Sequence, residues 1–192
     1  MARLFSFKPT LTIKGRKFKG LRGFSGKPFH PPLTDFPITC YFLAAVFDVI
    51  SYIAWQQDKP SIAHDFFVSG THVIIAGLLV SVPTALTGFW DWLKSTPKHT
   101  QVWRTANTHM AIMLTVTAIV VVDVLMRLSG WDEGYAELGV TIISVVVGSL
   151  VSLGAAFGGT MVYEYAFNVE QDIDYAYTPS EEDRLPGQKA ES

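Results

Sequence analysis

Leu138-Gly-Val-Thr-Ile-Ile-Ser-Val-Val-Val-Gly-Ser-Leu-Val-Ser-Leu-Gly-Ala-Ala-Phe-Gly-Gly-Thr-Met-Val-Tyr163 decides the fold, because no charged side chain interrupts it. At about 1.5 Å of rise per residue, twenty helical residues cover about 30 Å, the depth of a bilayer's hydrocarbon layer. Three further runs have the same character and aromatic flanks: Phe36 to Trp55, Val73 to Leu93 and Thr108 to Met126. A chain with four such runs is an integral membrane protein. Short links make successive helices antiparallel neighbours, so the expected fold is all-α, an up-down four-helix bundle.

With 192 residues, 49% of them hydrophobic, the chain has little room for a separate soluble domain. The expected organisation is a basic-aromatic arm over 1–29, a transmembrane domain over 30–169 and an acidic, flexible tail over 170–192. The arm contains no apolar segment long enough for a cleavable secretory signal, and Met1 is expected to stay on the mature chain. Cys40 is the single cysteine, which excludes a disulfide within the chain and any cluster held by several of its own thiolates.

Lys and Arg outside the runs set the orientation, since cytoplasmic segments beside membrane helices retain positive charge. Arg3, Lys8, Lys14, Arg16, Lys17, Lys19, Arg22 and Lys27 precede the first run, and Lys94, Lys98 and Arg104 lie between the second and third. The other two links offer Lys59 and Arg127. Both termini are therefore expected on the cytoplasmic side, with Trp55 and Trp131 at the outer boundary and Trp90, Trp92 and Trp103 at the inner one. In the arm, basic residues alternate with Leu4, Phe5, Phe7, Leu11, Ile13, Phe18, Leu21, Phe24 and Phe29, a mixture suited to an anionic lipid surface or an acidic partner. Topology control explains the same charges more simply than nucleic acid does, and no nucleic-acid partner is expected.

Pro83 lies inside the second run and is expected to kink it, with Thr84 or Thr87 near the disturbed backbone. In the fourth run Ser144, Gly148, Ser152 and Ala156 recur every four residues, beside the small pair Gly154 and Gly158. Such residues let another helix approach closely, here one from the bundle or from a partner subunit or second copy.

Ionisable groups inside spans usually face the bundle interior and mark function. They fall at two levels: His30, Asp35, Asp91, His109 and Glu164 near the inner face, and Asp48, His72 and Asp123 in the outer half. Two histidines on facing helices can hold a haem iron. His72 and His109 differ in depth by more than about 10 Å at helical rise, too far for metal-imidazole bonds of about 2 Å. His30 with His109 remains as a haem b or metal pair if the His30-Pro-Pro turn folds over the bundle. A mixed zinc or iron site would add Asp35 and Asp91. The structural alternative makes Asp35 the N-cap of the first helix and has Asp91 accept a hydrogen bond from His109. In the outer half, Asp123 and Arg127 are spaced to pair along one helix while the arginine reaches toward the interface. Asp48 is expected to be protonated or to bond His72, Ser51 or Tyr52; the sharper reading makes Asp48 and His72 a proton-accepting pair or a quinone headgroup contact. No phosphate-cradling glycine loop and no G-x-S-x-G elbow occurs, and no nucleophile stands out.

His30-Pro-Pro-Leu-Thr-Asp-Phe-Pro37, Pro83-Thr-Ala-Leu-Thr-Gly-Phe-Trp-Asp-Trp92, His109, and Gly158-Gly159 with Val162-Tyr163 occur in that order. Together they resemble the motifs of a bacterial membrane family known as domain of unknown function 2231, over about Phe29 to Val169. Thr160 stands where that family usually has a histidine, which weakens any ligand role carried over to this position. The resemblance implies a bacterial cytoplasmic membrane protein and, because some members are fused to or encoded beside Rieske-type iron-sulfur proteins, a loose association with redox chemistry. This chain lacks the Cys and His pairs of a Rieske centre, so such a cluster would belong to a partner. Two functions are expected: a non-catalytic accessory or scaffold subunit of a membrane complex, or a haem- or metal-binding electron or proton carrier, including a quinone-contacting subunit.

Overall fold

A computed structural model describes residues 20–22 and 26–169; most of the basic arm and the whole acidic tail lie outside the described residues. It contains four long helices, α1 (His30–Gln56), α2 (Pro60–Ser95), α3 (Gln101–Ser129) and α4 (Leu138–Tyr163), with one 3-10 turn at Trp131–Glu133 before α4. All four are long and apolar enough to cross a membrane. Among the described residues there is no strand, only an isolated bridge between Arg22 and Pro28.

The helices outlast the apolar runs at most ends. α1 begins at His30 rather than Phe36, and α2 at Pro60 rather than Val73. Proline in the first turn has no N–H to leave unpaired and a φ already suited to a helix, so Pro31 and Pro60 start helices before the apolar segment begins. Asp35 is consequently an exposed residue inside α1, not its N-cap; Phe29 holds that position without a side-chain bond. Pro37 removes the N–H that would bond the Leu33 carbonyl, and the Thr84 hydroxyl of α2 donates to that oxygen at 3.4 Å. Beside Pro83, Thr84 also donates to Val80 O at 2.8 Å and Thr87 to Pro83 O at 2.9 Å.

α1 packs against α2 and α4, and α3 against the same two, most extensively between α1 and α2 and least between α2 and α3. The backbones of α1 and α3 do not meet, so these helices lie diagonally across the bundle. Tyr41, Ala44, Ile74, Val116, Val120, Val124, Val147 and Val151 form the core. Large apolar side chains also cover the outside, where Leu79 is 69% and Leu86 66% exposed. Such a surface suits lipid rather than water.

Glycines permit the closest approaches. A Cβ at Gly77 would sit 2.7 Å from Cys40 Cβ, and one at Gly154 would sit 2.5 Å from Met113 Sδ. Gly148 faces Ala45 of α1, so the α4 small residues serve the bundle at Ser144, Gly148 and Gly154, while Ser152 and Ala156 are exposed. At the link before α4, Ser51 donates to Ala63 O at 2.7 Å and accepts from Ala136 N at 3.0 Å. Trp55 stacks on Tyr135 with ring centroids 4.1 Å apart.

Candidate functional site

Asp123 and Arg127 lie one turn apart on α3, and Arg127 Nε donates to Asp123 Oδ1 at 3.0 Å. The predicted pairing along the helix is present, but Arg127 does not reach for the interface. Its side chain is 0% exposed, as are those of Asp48 and Asp123. One helical turn separates the two residues, so both occupy the same face; once Asp123 points inward, Arg127 must follow.

The guanidinium meets all four helices. Arg127 Nη1 donates to Asp48 Oδ1 of α1 at 2.9 Å and lies 3.4 Å from Thr71 Oγ1 of α2. Nη2 pairs with Asp48 Oδ2, donates to Ser144 Oγ of α4 at 2.8 Å and approaches Asp123 Oδ2 at 3.4 Å. Both carboxylates are thus gripped through two oxygens by the planar fork, a geometry that lysine cannot supply. Ser144 Oγ lies within hydrogen-bond distance of Asp48 Oδ2, of Asp123 Oδ2 at 3.1 Å and of Val140 O at 2.9 Å. Two carboxyl groups face one guanidinium, so full ionisation leaves one negative charge in excess inside the bundle. The Ser144 hydroxyl accepts from Arg127 and has one proton to donate to one carboxylate oxygen at a time.

Gly70 makes room for this contact, since a Cβ there would lie 3.1 Å from Asp48 Oδ1 and 3.6 Å from Arg127 Nη1. Asp48 therefore has a partner other than His72, Ser51 or Tyr52. His72 is exposed, with Nδ1 2.8 Å from Val68 O. It lines an open cleft of about 480 Å³ with Thr71, Ile75, Leu128, Trp131 and Asp132. Thr71 is common to the cleft and the cluster.

The inner group does not form one cluster. His30 Nδ1 donates to Thr84 O at 3.0 Å, and His109 Nδ1 to Gly154 O at 2.9 Å. Asp91 is buried, but its Oδ1 accepts from Leu21 N at 3.0 Å instead of from His109. The expected contact fails because the chain leading into α1 crosses the end of α2 and supplies a backbone donor first. Asp35 and Glu164 are exposed. The four-residue metal site of His30, Asp35, Asp91 and His109 does not assemble, and no group of three or more His, Cys, Asp or Glu among the described residues could hold a metal ion. His30 and His109 remain as a pair at one end of the bundle.

Sequence reasoning missed Arg127 and Ser144 as partners of Asp48, and Thr71 as a further partner of Arg127. The one-turn spacing of Asp123 and Arg127 was the signal available for the first. Residues 26–171 match the family of predicted membrane proteins DUF2231. The chain belongs to that family. No match was found among curated proteins or among solved structures.

Proposed function

We propose that this chain is a non-catalytic accessory subunit of a bacterial inner-membrane complex, an up-down four-helix scaffold with both termini in the cytoplasm. The observation that carries the reading is the Arg127 cluster. A group that acts in a cycle must exchange partners, whereas this guanidinium is committed to Asp48, Thr71, Asp123 and Ser144 from four helices. Its chemistry is that of a lock.

Contacts at the other end support alternating helix directions. His30, at the start of α1, meets Thr84 and Gly88 late in α2; His109, early in α3, meets Gly154 and Gly158 late in α4. Burial of Arg127 removes it from the outer charges, leaving Lys59 against the basic arm and the Lys94, Lys98 and Arg104 link. That asymmetry supports cytoplasmic termini. The basic-aromatic arm and acidic tail are then the surfaces offered to partner subunits, redox proteins among them, and to anionic lipid.

The test is purification from native membranes. The full chain should travel with other subunits at fixed stoichiometry, and deletion of residues 1–19, which spares the Leu21–Asp91 contact, should release a folded bundle from them. Recovery of the full chain alone, as a single copy, would overturn the subunit reading.

A further inference from the structure

His30 and His109 project from diagonal helices whose backbones do not touch. Their level follows from a tie between the intervening elements. Trp92 Nε1 donates to Asn107 Oδ1 at 2.8 Å, aligning α2 with α3. Counted away from the α2–α3 link, Gly88 is one turn beyond Trp92 and His109 two residues beyond Asn107, about 6 and about 3 Å at helical rise. The His30 ring lies against Gly88, where a Cβ would fall 2.6 Å from Cε1 and 3.0 Å from Nε2. Across the bundle the His109 ring lies against Gly158, at 3.4 Å from a Cβ placed there. The two imidazoles thus sit at nearly the same depth of the bundle, on diagonal helices.

Both rings are oriented in the same way. A carbonyl oxygen only accepts, so the bonds to Thr84 O and Gly154 O place a proton on each Nδ1. In the neutral ring Nε2 then carries the lone pair, and among the described residues neither Nε2 has a hydrogen-bond partner. A backbone carbonyl holding Nδ1–H while Nε2 is free is the arrangement that orients a metal-binding histidine.

We propose that His30 and His109 are the two protein ligands of a transition-metal centre, with haem iron the form that fits their number. A six-coordinate haem iron would take four nitrogens from its macrocycle and could take two further ligands from protein, while a bare zinc or similar ion draws three or four protein side chains. Two imidazoles on diagonal helices, with no third ligating side chain beside them among the described residues, match the first count. Gly88 and Gly158 act as the flat beds on which the rings rest. The proposal does not depend on the subunit reading, because the Arg127 cluster and the imidazole pair share no residue.

The test uses the full-length protein in detergent, produced in haem-deficient cells, treated with chelator and titrated separately with hemin and with Co²⁺. Hemin should bind at one equivalent with the absorption of a six-coordinate low-spin iron. His30→Gln and His109→Gln should each abolish that spectrum and weaken binding by more than about 100-fold, the upper range for losing even an outer-shell partner. Gly88→Ala, which displaces the His30 ring without removing a ligand, should weaken binding by about 10- to 100-fold. His72→Gln should change nothing. Co²⁺ binding that both Gln variants remove, with no response to hemin, would assign the same two ligands to a bare ion. Should a variant fail to fold, electron paramagnetic resonance of the unsubstituted protein with isotope-labelled histidine counts imidazole nitrogens on the metal directly. Fewer than two, or no binding of either probe at micromolar concentration, would overturn the proposal.

Discussion

Arg127 is fully buried and meets side chains from every helix, so its worth depends on what replaces it. Removing one partner of a buried charge pair strands the other, at a cost of about 3–5 kcal/mol, whereas replacing the whole set with apolar residues is often neutral. Arg127→Ala should therefore lower the unfolding free energy in detergent by about 3–5 kcal/mol. Asp48→Leu, Asp123→Leu and Arg127→Met combined should recover most of that loss. Equal instability in the single and triple variants would mean that packing volume, not stranded charge, governs the site. The Asp123–Arg127 half of this cluster was legible in the sequence because the pairing is local. Asp48 was not, since its partner lies 79 positions away on the diagonal helix and nothing in a linear pattern aligns the two. The same blindness produced the Asp91–His109 expectation, where a backbone donor at Leu21 proved the actual partner.

At the scale of elements, close helix contact rests on particular glycines rather than on small residues in general. Gly77 lets α2 approach Cys40 and Tyr41, and an added Cβ would come within 2.7 Å of the Cys40 Cβ, which cannot swing aside without moving α1. Gly77→Ala should cost about 1–3 kcal/mol through overpacking. Gly159→Ala, whose nearest new neighbour is the Tyr163 ring at 3.8 Å, should be neutral or stabilising by up to about 1 kcal/mol from helix propensity. Thermal or denaturant unfolding of the two variants side by side checks the contrast. Apolar runs located all four helices, yet hydropathy marks where a helix meets hydrocarbon, not where it starts. The starts were set by Pro31 and Pro60, which is why α1 and α2 begin well before their apolar runs.

For the whole molecule, the proposed orientation rests on charge and the helix packing on one buried tie. Cysteines introduced at Ala2 and Ser192, in a chain with Cys40 replaced, should react with an impermeant thiol reagent only from the cytoplasmic side of the membrane. Labelling of either from outside intact cells would reverse the arrangement. The diagonal contact between α1 and α3 exists only through side chains, with Asp48 and Arg127 at its centre. A double-mutant cycle with Asp48→Asn and Arg127→Gln, read as unfolding free energy in detergent, measures that tie most directly. A coupling of roughly 1.5 kcal/mol or more, the scale of close buried charge pairs, is expected; additive losses, with no coupling between the two positions, would contradict the lock that joins the four helices.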